Sequence, residues 1–256
     1  MRLPFVMSVP HGSFQIPEDV RDSMALTQRE ILESTDLGAR EVFTQLPVTV
    51  ALWSRWSRLV VDLNRDFRQF GPKGVVPEVD YHGRDIYKED CRPEEREVKR
   101  RLTAYYWPYH NRLKEAIENP EIKVLFDCHS LENIGPPGAP DPLRRRKNIV
   151  LGNNGGPRGG PDPALGDITC SAEMLQMMKE AFSRSGFSVS VNQPYSGGFI
   201  TTHYGLELVK QAKMAVQIEI NQDLYVDKES LQLDRNRLGE IANRLQQVFR
   251  EIAREI

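Results

Sequence analysis

Residues 124–130 (VLFDCHS) constrain the fold of this chain more than any other stretch. Val, Leu and Phe favour a buried β-strand, and this run ends abruptly in an acid, a thiol, an imidazole and a hydroxyl. In an open α/β sheet, ligands bind in the crevice beyond the carboxyl ends of the strands. His129 is therefore well placed to hold a metal ion, although a buried imidazole hydrogen-bonded to Asp127 is the more frequent arrangement.

A second histidine occupies a matching position. Residues 4–9 (PFVMSV) predict a short strand, and Pro10 and Gly12 predict a tight loop directly after it. His11 lies in that loop and hence, like His129, at the carboxyl end of a strand. Loop histidines usually face water, but two histidines in the same topological position favour a common site.

Two acids are candidates to complete such a site. The capping-box sequence TQRE at residues 27–30 predicts the start of a helix, and Asp36 falls inside the apolar pattern that extends it. Glu219 stands in residues 214–220 (MAVQIEI), a nearly continuous apolar strand. A carboxylate in such a strand must be paired, bound to a metal or used in chemistry.

Residues 48–52 (VTVAL) and 58–63 (RLVVDL) predict two further strands. The second leads into Asn64 and Arg65. The planar guanidinium of an arginine fits a carboxylate, and an adjacent Asn adds a donor. A surface pair between Arg65 and Asp66 explains the same residues and contributes little to stability.

Strands that alternate with predicted helices at residues 93–117, 171–185 and 231–256 indicate an α/β fold with a mixed, mostly parallel central sheet flanked by helices. We expect a single domain over residues 1–256 with long loop excursions at about 67–92 and 132–167. The turn residues at 194–198 predict that His203, which follows them, lies in an irregular segment. The second excursion carries the basic run 144–147 (RRRK), which is either solvated or supplies charge for an acidic substrate.

Composition excludes several functions. A formal charge of −2 gives no electrostatic reason to expect nucleic acid or an anionic membrane as a partner. No apolar run has the length of a membrane span, and the first residues lead into a strand rather than a signal peptide. The three cysteines have no CxxC spacing, which favours reduced thiols and a cytoplasmic location.

Two imidazoles, one carboxylate and an open position for water make up the usual catalytic zinc site. Zinc would acidify that water and polarise a carbonyl, while a further carboxylate carries a proton to a leaving amine. Composition leaves open which of Asp36 and Glu219 is the ligand and which the base. Cys128 is an alternative thiolate ligand, but strand alternation turns its side chain to the other face, into the core.

Five motifs together carry a family resemblance over nearly the whole chain. They are SVPHG at 8–12, VDLNRD at 61–66, DCHS at 127–130, GGFITTHYG at 197–205 and QIEIN at 217–221. In this order they resemble the N-formylglutamate amidohydrolase (deformylase) family. That family is similar in fold to the zinc carboxypeptidases, which implies a three-layer architecture and one zinc ion per chain.

The resemblance also implies roles for individual residues. His11 and His129 would bind zinc, Asp36 would complete the ligand set and Glu219 would be the general base. Asp127 would orient His129. The substrate would be a small N-acyl amino acid. Asn64 and Arg65 would bind its carboxylate, and Tyr195, His203 and Tyr204 would line the pocket. His203 would also polarise the amide oxygen.

Two features separate this chain from the family pattern and leave the substrate open. Thr202 stands where the family often has an Arg, and the Pro-rich loop with its basic run is particular to this sequence. Carboxypeptidase-like or other N-acyl amino acid hydrolysis, a two-metal phosphoesterase and a non-catalytic metal- or carboxylate-binding protein are the alternatives. The acyl group, the amino acid and the oligomeric state do not follow from the sequence.

Overall fold

A computed structural model describes residues 2–256 and contains one six-stranded sheet. The strands are β1 (Leu3–Val9), β2 (Val48–Trp53), β3 (Val124–Leu131), β4 (Ile149–Gly152), β5 (Val189–Val191) and β6 (Met214–Asn221). The helices are α1 (Glu18–Arg21), α2 (Gln28–Glu33), α3 (Ala39–Phe43), α4 (Glu95–Arg101), α5 (Trp107–Glu118), α6 (Ala172–Arg184), α7 (Phe199–Val209) and α8 (Arg235–Ile252). None of the helices in residues 2–256 is long and apolar enough to cross a membrane.

The sheet has the order β2-β1-β3-β6-β4-β5. All neighbouring strands are parallel except β4 and β6, which are antiparallel. The predicted α/β fold with a mixed, mostly parallel sheet flanked by helices is thus confirmed.

Alternation along the central strands divides the core between the two faces of the sheet. Phe126 and Cys128 face the apolar cluster that contains residues of α3, α6 and α8, whereas Leu125 faces the cluster that contains residues of α5 and α7. Cys128 is completely buried, as predicted, and burial raises the pKa of its thiol well above the usual value. A protonated thiol in that core packs against its apolar neighbours and does not bind a metal ion.

The parallel register places the polar ends of β3 and β6 side by side. Asp127 pairs with Gln217, and His129 pairs with Glu219. Because paired residues project from the same face of a sheet, these four side chains meet at the carboxyl ends of the two strands.

Three local predictions were wrong. Residues 58–63 form buried turns, since β2 already occupies the sheet edge beside β1 and Leu59 and Val60 pack in a separate cluster. Asp36 lies outside any helix, in the turn between α2 and α3. His203, expected in an irregular segment, lies within α7.

The helical region around Pro108 runs on without a break. One π-helical turn (Leu102–Tyr106) joins α4 to α5, and Pro108 sits in the first turn of α5. A widened turn accommodates the missing N–H of proline without ending the helix.

His110 of α5 makes the fold sensitive to acid. Its Nδ1 contacts the Tyr204 hydroxyl at 2.8 Å, its Nε2 contacts the Leu63 carbonyl at 3.0 Å, and burial lowers its pKa to about 4. A free histidine titrates near pH 6.5. Between about pH 6.5 and pH 4 the unfolded chain therefore binds the proton more readily, and stability falls as the pH falls.

We expect this group to contribute up to about 3 kcal/mol to the loss of unfolding free energy over that interval. Urea titrations from pH 7 to pH 4 should show a shallower pH dependence for His110→Gln than for the wild type. His82→Gln, at a half-buried histidine outside α5, is the control. Parallel pH curves for the wild type and His110→Gln would contradict the assignment.

Candidate metal centre and active site

Three buried side chains form a compact group that could hold a metal ion. The ligand atoms of His11, Asp36 and His129 all lie within 4.8 Å of one another. His129 Nδ1 is 2.9 Å from Asp36 Oδ2, and His11 Nδ1 is 3.8 Å from the same oxygen. Both imidazoles therefore present Nδ1 to one carboxylate.

The Nδ1 atom of His11 has no hydrogen-bond partner among residues 2–256, although the imidazole is buried. Burial lowers the pKa of His11, which favours the neutral ring with a free lone pair. An orphaned nitrogen beside a second imidazole and a carboxylate has the donor chemistry of a zinc site. The residues present fit the ion that the resemblance implies.

The other nitrogen of each ring is held by a carboxylate. His11 Nε2 donates to Asp62 Oδ1 at 2.7 Å, and His129 Nε2 donates to Asp127 Oδ1 at 3.0 Å. Metal-binding histidines characteristically donate their second N–H in this way, which fixes the tautomer and the ring orientation. Both rings are thus oriented to offer Nδ1.

Asp36 reaches the site from a turn. Its backbone N–H donates to the His11 carbonyl at 3.1 Å, which ties this turn to the loop after β1. The turn needs glycine at position 38, where φ is +74° and a Cβ would lie 2.3 Å from the Tyr225 ring. The backbone, rather than a helix face, places this carboxylate.

Asp62 is itself held by Arg58, whose guanidinium donates to Oδ2 at 2.8 Å. Burial alone would raise the pKa of Asp62, but Arg58 and His11 hold it well below the usual value. The chain Arg58–Asp62–His11 therefore keeps an ionised carboxylate behind the first imidazole.

Asp127 has a corresponding support. Its Oδ2 accepts hydrogen bonds from Asn64 Nδ2 at 3.3 Å and from the Thr201 hydroxyl at 3.0 Å. The other end of the Asn64 amide accepts from the Ile200 N–H at 2.7 Å. Asn64 lines the pocket, but both ends of its amide are already engaged in holding the protein together.

Glu219 faces the same space from β6. Gln217 Nε2 donates to its Oε1 at 2.9 Å, and Gln217 in turn accepts from the Gly198 N–H at 2.6 Å. Burial raises the pKa of Glu219 to about 8. A carboxyl group with a pKa near neutrality is suited to accept and release a proton.

These side chains line one pocket with a volume of about 300 Å³, which suits a small molecule. It brings together seven of the residues predicted from the sequence: His11, Asp36, Asn64, Arg65, His129, Tyr195 and Glu219. Asp127 lies behind them.

Arg65 lines this pocket, and its guanidinium forms no ion pair with a carboxylate among the described residues. Its Nε is buried and makes no hydrogen bond within residues 2–256, and none of the described acids lies within 4 Å of its guanidinium. An unpaired guanidinium in a concave site is a receptor for an anionic group of a ligand.

The structure does not bring His203 and Tyr204 into the pocket. His203 is exposed on α7 and stacks on Phe199 with ring centroids 4.8 Å apart, while the Tyr204 hydroxyl is buried against His110. Neither residue is among those that line the pocket, so neither belongs to the proposed catalytic set.

Sequence reasoning assigned no role to Asp62, Gln217, Tyr81 or Arg146, all of which contact or line the site. The motif at 61–66 contained Asp62, and strand alternation placed Gln217 on the same face as Glu219. Arg146 belonged to the basic run whose role stayed open. For Tyr81 the sequence offered no signal.

The model of one protein family, N-formylglutamate amidohydrolase, matches residues 3–226 of this chain. The chain belongs to the N-formylglutamate amidohydrolase family. Curated relatives in the family include the N-formylglutamate deformylase of Pseudomonas aeruginosa, which is 28% identical over 90% of this chain and 84% of the relative. The N-formylglutamate deformylase of Pseudomonas putida is 30% identical over 89% of this chain and 83% of the relative.

Solved structures share the fold. The N-formylglutamate amidohydrolase of Ralstonia eutropha JMP134 superposes with a TM-score of 0.73 at 21% identity, covering all of this chain and 94% of the other. A protein from Agrobacterium tumefaciens gives a TM-score of 0.71 at 21% identity over 99% and 91% of the two chains. The resemblance seen in the five motifs is thus confirmed at the level of the family.

Proposed function

We propose that this protein is a zinc-dependent amidohydrolase that releases formate from a small N-formyl amino acid such as N-formylglutamate. The observation that carries the proposal is the convergence of two Nδ1 atoms and one carboxylate oxygen opposite Glu219 in a single pocket. The names of the curated relatives support the substrate.

His11, Asp36 and His129 would hold the ion. Bound zinc supplies Lewis-acid chemistry: it makes water more acidic and polarises a carbonyl oxygen. The carboxylates of Asp62 and Asp127 accept the Nε2–H of His11 and of His129, which keeps the Nδ1 lone pair of each ring directed at the site.

Glu219 would be the general base. Its carboxylate takes a proton from the attacking water, the water oxygen bonds to the formyl carbon, and the C–N bond breaks. The proton passes from Glu219 to the leaving nitrogen, so the products are formate and the free amino acid. Gln217 keeps the carboxyl group aimed at the pocket throughout.

Arg65 would bind the α-carboxylate of the substrate through its unpaired guanidinium. Asn64 would act through Asp127 and hence through His129, as a positioning residue.

The test combines metal analysis with a substrate screen. We expect one zinc per chain, and formate release from N-formylglutamate faster than amide hydrolysis of N-acetyl- or N-succinyl-glutamate. Preference for an acetyl or succinyl substrate would move the activity to another amidohydrolase class. Metal bound at full stoichiometry with no hydrolysis of any N-acyl amino acid or peptide would favour a non-catalytic binding protein.

Asp62→Asn tests the support behind His11. Asparagine keeps the shape but removes the charge that holds the Nε2–H, so we expect zinc affinity to fall about 10- to 100-fold. Competition with a chromophoric chelator measures the change. Asp66→Asn, in the same motif and paired with Arg68, is the matched control; equal losses in the two variants would contradict the role of Asp62.

A further inference from the structure

The wall of the pocket contains a cluster of three polar side chains that the chemistry above does not use. Tyr81, Arg146 and Tyr195 come from three separate loops and all line the pocket. The two tyrosine hydroxyls hydrogen-bond to each other. Arg146 Nη2 lies 3.4 Å from the Tyr81 hydroxyl and 3.2 Å from the Tyr195 hydroxyl.

Arg146 is held rigidly in this cluster. Its side chain is 1% exposed and forms a two-point ion pair with Asp141, with Nε–Oδ2 at 2.9 Å and Nη2–Oδ1 at 2.6 Å. Its Nη1 donates to the Glu132 carbonyl at 3.3 Å, and the guanidinium lies 5.5 Å from the centre of the Tyr195 ring. A buried arginine fixed at this many points is preorganised for recognition.

The cluster has more donors than acceptors. Each tyrosine hydroxyl carries one proton, and the contact between the two hydroxyls uses only one of them. Nη1 of Arg146 has a second N–H that no atom of residues 2–256 accepts. At least two donors remain free, while the hydroxyl oxygens already receive hydrogen bonds. Such a surplus fits a ligand that only accepts hydrogen bonds, such as a carboxylate.

The surrounding acids leave room for that charge. Glu33 forms an ion pair with Arg84 at 2.6 Å, and burial raises the pKa of Glu132. Asp141 forms its ion pair with Arg146. Glu33 and Asp141 are thus already paired with arginines, which reduces their repulsion of an anion bound in this corner.

We propose that Tyr81, Tyr195 and Arg146 form a subsite for a second carboxylate, carried on the side chain of the substrate. With Arg65 at the first carboxylate, the pocket selects dicarboxylic N-acyl amino acids over their neutral-side-chain counterparts. This assignment rests on the proposed function for its reaction, and it gives one residue of the basic run 144–147 a role in specificity.

The experiment compares N-formylglutamate with N-formylglutamine, which replaces the side-chain carboxylate by an amide of nearly the same shape. We expect the wild-type kcat/KM to favour the glutamate compound. Arg146→Lys and Tyr81→Phe should each reduce that preference about 10- to 100-fold, chiefly through KM. Arg145→Lys, at an exposed neighbour in the same run, should keep the wild-type preference.

A purely structural role would lower kcat/KM for both substrates by the same factor, and that result would overturn the proposal. So would a wild-type enzyme that hydrolyses both substrates equally well. Calorimetric binding of glutarate and of its monoamide to the zinc-loaded protein separates this proposal from the proposed function. A preference for glutarate that Arg146→Lys abolishes supports the subsite even without turnover, whereas equal affinities refute it.

Discussion

Glu219→Gln is expected to lower kcat by a factor of about 10² to 10⁴ while the protein keeps its zinc, because the variant removes the general base but none of the metal ligands. The fold should tolerate the change. Burial already disfavours the ionised carboxyl at this position and raises its pKa to about 8, so a neutral amide of the same shape suits the site.

Formate release under single-turnover conditions measures this effect, with metal content determined on the same samples. Glu207→Gln, at an exposed position on α7, is the matched control and should behave as the wild type. A Glu219→Gln enzyme within a few-fold of the wild-type kcat would mean that the base lies elsewhere in the pocket. A Glu219→Gln protein without zinc would make this residue a ligand instead.

The second large effect is expected from His129→Ala. Removing an oriented partner behind a ligand costs 10- to 100-fold in metal affinity, so removing the ligand itself should cost more than about 100-fold. Deformylation should fall to background, since the remaining His11 and Asp36 offer only two protein donors.

His203→Ala separates the two interpretations of the histidines. Its ring is exposed and stacked on Phe199, outside the pocket, so this variant should retain both zinc and activity. Loss of activity with retained zinc in His203→Ala would restore the role that the sequence resemblance implied. Chelator competition and formate release are measured for both variants in parallel.

The elements that carry the site could be predicted because their signals are local. β1, β3 and β6 are apolar runs with sharp polar ends, and the pairing of His129 with Glu219 follows once both strands lie in a parallel sheet. The capping box at residues 27–30 marked the start of α2 correctly.

The rest depends on contacts between distant residues. His11 and Asp62 are 51 positions apart, so the hydrogen bond that orients the ring leaves no periodic trace in the sequence. Residues 58–63 have the composition of a strand, but Leu59 and Val60 pack in an apolar cluster apart from the sheet. The prediction of an irregular segment around His203 was wrong because two glycines directly before it resemble a loop. In the structure the second of them, Gly198, caps the start of α7 and packs closely against Asn64.

The dependence of formate release on zinc separates a metal-dependent hydrolase from a metal-independent one. Metal-free protein is titrated with zinc while formate release from N-formylglutamate is followed. Activity is expected to rise linearly and to reach a plateau at one zinc per chain, and no such rise is expected for His129→Ala. Full deformylase activity in chelated protein with a negligible zinc content would contradict this expectation.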